Sequence, residues 1–132
     1  MGVQGPFVVR FEDVFPHGVG VVGAVLPLVD FDASTKENRV QARDKLTGEP
    51  VWVVDVIDFD ADARERTFKV KLTSAVQPVP PAEVGGVPVR PVRLVGLTVT
   101  PYLKEGVGRP RVAYSLRATG LADVGRIDGK AA

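Results

Sequence analysis

Cysteine is absent from this chain, which removes disulfides, thiol nucleophiles and zinc–thiolate sites together and fits a cytoplasmic location. Histidine occurs once, as His17. Every two-histidine metal site is thereby excluded, and a serine–histidine–aspartate triad would have to use a residue set between Pro16 and Gly18 on a turn. Charge of one sign is scarce: 17 Lys+Arg stand against 16 Asp+Glu, a net charge of +1. That balance excludes a strongly basic nucleic-acid binder but not a locally basic one. No apolar run approaches the roughly 18 residues of a membrane-spanning helix, and residues 1–10 lack the charged-then-apolar order of a signal peptide. No glycine-rich phosphate loop follows a strand, and no helix-turn-helix pattern is visible. The run Asp58-Phe-Asp60-Ala-Asp62 has the opening spacing of a calcium loop, but Ala63 stands where glycine is needed and Lys69 where glutamate is needed. It reads as a solvated acidic turn. The expectation is a protein that is not an enzyme and needs no metal or cofactor.

What is present points to strands. The 14 glycines and 11 prolines punctuate 132 residues, and valine dominates the apolar segments, a combination that favours short β-strands. Length predicts one domain with its own core. Residues 51–72, VWVVDVIDFDADARERTFKVKL, organise the rest. Their second half alternates: Phe68, Val70 and Leu72 point one way, Thr67, Lys69 and Lys71 the other, the mark of a strand with one wet face. With the polar segment 39–45 before it, this stretch predicts a three-strand antiparallel meander. Residues 6–11 read as a first strand and 12–20 as a loop. In residues 21–29, Gly23 predicts a bulge or close approach, and Pro27 a strand end. Residues 74–91 carry five prolines and Gly85-Gly86, which predicts a long extended loop with a hairpin turn at the glycines. Residues 92–101 read as one strand. In residues 111–118, Val112, Tyr114 and Leu116 alternate with Arg111, Ala113, Ser115 and Arg117. The predicted fold is all-β, an OB-like Greek-key barrel of five to seven short antiparallel strands spanning residues 1–120, with a flexible tail at 121–132.

The wet faces supply the only chemistry in the pattern. If the apolar rows face the core, Lys69, Lys71, Arg111 and Arg117 share an outer wall that Arg43 and Lys45 can join. A basic stripe crossing several strands is the usual track for a phosphate backbone. Trp52, Tyr102 and Phe15 are the candidate stacking platforms, although an aromatic at a strand position such as Trp52, Phe68 or Tyr114 is more often core. Lysines on an outer sheet face also serve solubility and edge protection.

Four segments carry a resemblance: VRFEDVFPHG (residues 9–18), QARDKLTGEPVW (41–52), GLTVTPY (96–102) and RPRVAYSLRATG (109–120). In this order they resemble the actinobacterial plasmid replication, integration and excision activator family, over about residues 5–120. More distantly the arrangement is similar to single-strand-binding OB-fold proteins of conjugative elements. The resemblance implies a cytoplasmic accessory protein of a plasmid or integrative element that binds single-stranded DNA to support replication and excision. Replication or recombination proteins of the element would be its partners, and no membrane is involved. It transfers no functional residues, and the terminal ADVGRIDGKAA lacks the acidic character of single-strand-binding tails. Two other readings stay open: a regulatory module that contacts proteins through an open sheet edge or the 74–91 loop, and a homo-oligomer built by edge pairing.

Overall fold

The computed structural model describes residues 5–82 and 88–124. The chain order is β1 (Phe7–Val8), α1 (Phe11–Val14), β2 (Val19–Pro27), β3 (Val51–Asp58), β4 (Thr67–Thr73), β5 (Val89–Val95), β6 (Thr98–Lys104), β7 (Arg111–Ala118) and β8 (Gly120–Asp123). The fold is all-β. Its strands form one sheet in the order β1-β6-β7-β4-β3-β2-β5-β8, curled into a half-barrel. Every pairing is antiparallel except β4 with β7.

Alternation explains the core. Val54 and Val56 of β3, Val70 and Leu72 of β4, Val92 and Leu94 of β5, and Val19 and Val21 of β2 are buried and form one cluster. Partners across the ladder keep the rows in step: Val54 lies opposite Val70, Val56 opposite Phe68 and Val21 opposite Val56. A one-residue slip anywhere would turn a row of valines to water. The single turn of α1 adds Phe11 and brings Phe15 onto Phe68, ring centroids 5.5 Å apart and nearly parallel.

Several expectations are corrected. An eight-strand curled sheet stands where a barrel of five to seven strands was predicted, because the counted segments divide further. Residues 92–101 are two strands, β5 and β6, broken at Gly96 with φ +65°. The predicted first strand, residues 6–11, is reduced to Phe7–Val8; α1 begins at Phe11 and runs into the predicted 12–20 loop, in which β2 starts at Val19. Residues 39–45 are no strand; they make two isolated bridges, Val29↔Gln41 and Arg43↔Pro50, and the meander is β2-β3-β4. The tail does not begin at residue 121. Gly120–Asp123 is β8, paired with β5, because Leu121 lies opposite Leu94 and packs on the core. Residues 125–132 and the Gly85-Gly86 turn lie outside the described residues. At Gly23, φ +81°, the β2–β3 register shifts between Val22 and Leu26, the bulge that a glycine within a strand signals.

Candidate nucleic-acid interface

The face of the sheet turned away from the core carries the cations. Asp55 of β3, Lys69 and Lys71 of β4, Ser115 and Arg117 of β7, and Thr98 and Thr100 of β6 have the parity opposite to the buried rows. Lys71 and Arg117 are direct partners in the parallel ladder. The local cause is the period-two pattern of TFKVKL and RVAYSLRA; the parallel pairing then sets the two basic rows side by side.

A loop builds the second wall. After β2 the chain crosses this face and returns at β3, held by Gln41 Nε2 donating to the Val51 carbonyl at 2.9 Å and by the Val51 N–H donating to Ala42 at 2.9 Å. Within it Asp44 caps a tight turn. Its carboxylate accepts the Thr47 N–H at 2.9 Å, the Thr47 hydroxyl at 3.1 Å and the Leu46 N–H at 3.2 Å, and pairs with Arg117 at 2.7 Å. The Thr47 backbone N–H is the largest of the influences that hold the Asp44 carboxyl below its ordinary range; the Arg117 guanidinium is a lesser one. Sheet and loop enclose an open groove of about 1130 Å³, lined by Arg43, Lys45, Lys69, Lys71, Lys104 and Arg117 against two carboxylates, Asp44 and Glu65.

Six of the eight residues singled out from the sequence therefore line one groove: Arg43, Lys45, Lys69, Lys71, Tyr102 and Arg117. Two of these cations are committed. Lys69 pairs with Asp55 at 2.8 Å, and Arg117 with Asp44. Arg43 also donates to the Gly48 carbonyl at 2.8 Å. Among the described residues Lys45, Lys71, Lys104 and Arg43 form no ion pair. Arg111 lies beyond the groove's end, across the ladder from Lys104, and lines a smaller cleft of about 270 Å³ with it.

Trp52 is not on the groove. It shares the parity of Val54 and Val56, packs against the core, and donates its indole N–H to the Ser74 carbonyl at 3.0 Å. Phe15 is buried under Phe68. Conversely, Val112 and Tyr114, expected in the core, are exposed, because the core ends at Leu116 and the β6–β7 hairpin projects past it. Sequence reasoning missed Lys104 and the hydroxyls of Thr98, Thr100 and Ser115 that floor the groove. Their signal was present: in TVTPYLK the even-numbered positions are Thr98, Thr100, Tyr102 and Lys104, legible once the strand is known to start at Thr98.

The acidic run 58–62 spends its carboxylates locally, Asp58 accepting from the Asp60 N–H and Asp60 from the Asp62 N–H, both at 2.9 Å. No described helix is long and apolar enough to cross a membrane. Comparison with protein-family models, curated proteins and solved structures returns no match.

Proposed function

We propose that the groove binds single-stranded DNA and that the protein is a non-enzymatic, cytoplasmic accessory factor of a plasmid or integrative element, acting in replication and excision beside the element's own proteins. On this reading the half-barrel serves as an OB-like platform. One observation carries it: six cations and a floor of threonine and serine hydroxyls converge on one groove, against two carboxylates in its described lining and a third, Asp55, paired with Lys69. Lysine, arginine and hydroxyl side chains are the groups that hold phosphates in register without reading sequence. Lys45, Lys71, Lys104 and Arg43, the groove cations without a carboxylate partner among the described residues, take the phosphates.

Fluorescence anisotropy of labelled oligo-dT at two salt concentrations tests this. Four phosphate contacts on a single strand give a salt slope of about −2.8, so affinity falls about 50-fold between 50 and 200 mM salt. Lys71→Glu removes most of the binding. Flat anisotropy at 50 mM salt refutes the reading.

A second reading rests on the projecting hairpin. Leu103 and Val112 lie opposite each other and are 68% and 56% exposed, an apolar patch that fits a regulatory contact with a protein or another copy of the chain. Light scattering on a sizing column, with and without Leu103→Ser, separates self-association from DNA binding.

A further inference from the structure

One place in the sheet has neighbouring strands that part. β4 and β7 pair only across Val70↔Leu116, Lys71↔Arg117 and Leu72↔Ala118. Both strands continue toward their N-terminal ends, β4 as Thr67, Phe68 and Lys69 and β7 through residues 111–115, without pairing to each other. Over those stretches β4 stays on β3 and β7 stays on β6. Among the described residues two facing edges are thus left open, and they bound a notch.

The groove enters this notch. It touches Phe68 and Lys69 on β4, and Tyr114, Ser115 and Leu116 on β7. Residues of both parted edges, Tyr114 among them, therefore line the groove. The same parting explains Tyr114. It belongs to the apolar row of Leu116 and Ala118, which pack on the core, yet it is 63% exposed because no β4 residue stands beside it.

We infer that the notch is a nucleobase slot with Tyr114 as its stacking platform. This inference rests on the proposed single-stranded-DNA-binding function and adds to it a site for the unpaired base. The phosphates follow Lys71, Lys45 and Lys104 along the open face while bases turn into the parted edge and stack on the phenol ring. Tyr102, beside Ala113 on the groove side of the same hairpin, offers a second ring on the opposite face. A duplex, its bases already paired and stacked, has none to give the slot.

The test uses the full chain and three labelled probes of equal length: oligo-dT, a strand in which most positions are abasic, and a blunt duplex. Tyr114→Ala is expected to weaken oligo-dT binding by about 5-fold or more, the lower bound for losing one base–aromatic stack. It leaves the abasic strand and the salt slope unchanged, and Tyr114→Phe keeps wild-type affinity. The wild type binds oligo-dT more tightly than duplex. Salt-sensitive oligo-dT binding that Tyr114→Ala leaves untouched, equal losses on the oligo-dT and abasic probes, or duplex binding as tight as oligo-dT each overturns the slot while the groove stands. Absence of binding to all three probes at 50 mM salt overturns the groove itself, and the slot with it.

Discussion

Removing the carboxylate that pairs with Lys69 should strengthen DNA binding. Asp55 on β3 sits directly across the ladder from Lys69 on β4, and their 2.8 Å pair is 60% and 72% exposed at the two side chains. Such a surface pair contributes about 0–1 kcal/mol to stability. Asp55→Asn keeps the shape of the side chain and the strand, so the melting temperature should move by about 5 °C at most. Its effect on binding is larger. Lys69 loses its internal partner and becomes available to one more phosphate. With about 0.7 counterions released per single-strand contact, and the ionic contribution vanishing near 1 M salt, affinity rises about 8-fold at 50 mM and about 3-fold at 200 mM. The slope of log K against log salt steepens by about 0.7. Anisotropy titrations of oligo-dT at four salt concentrations measure both quantities. Adding Lys69→Gln to the variant should cancel the gain, which ties it to that lysine. An unchanged or weaker affinity, or a gain independent of salt, refutes the claim that Lys69 faces the bound strand.

Three further outcomes are expected. The fold favours the ionised Asp44 carboxyl, so its contribution to stability is complete above the ordinary value of 3.8 and is lost as pH falls through the lowered folded value; thermal melts from pH 6 to pH 2 should show wild type and Asp44→Asn converging at the acid end. A β-carbon at Gly20 would run into the Val89 side chain and lie 2.7 Å from Phe59 Cζ, so Gly20→Ala should destabilise by about 1–3 kcal/mol through overpacking in a denaturant titration. Leu72, near the C-terminal end of β4, is fully buried in the core, and Leu72→Ala should cost about 2–5 kcal/mol, whereas Leu46→Ala, at a 92% exposed position, should leave the unfolding midpoint in place.

Much of this molecule was legible without coordinates, for a local reason. Alternation in VWVVDVID and TFKVKL fixes which side chains share a face, since a strand has a period of two whatever it pairs with. Lys69 and Lys71 opposite Val70 and Leu72 follow from that rule alone, and the bulge at Gly23 from a glycine set inside a strand. The same rule placed Arg117 with Ser115 and Ala113.

Pairing between distant segments was decided elsewhere. Nothing within RVAYSLRA says that it lies parallel to β4, that the ladder stops at Val70↔Leu116, or that Tyr114 consequently leaves the core row for water. The partners of the cations are equally non-local: Asp44 reaches Arg117 across 73 positions of sequence, and Trp52 finds the Ser74 carbonyl 22 residues on. Strand β8 exists because Leu121 meets Leu94, a contact that no window around Gly120 contains. Period and turn chemistry are properties of a few consecutive residues and are written in the chain. Register, edge closure and charge neutralisation depend on which surfaces meet, and only the folded sheet settles those.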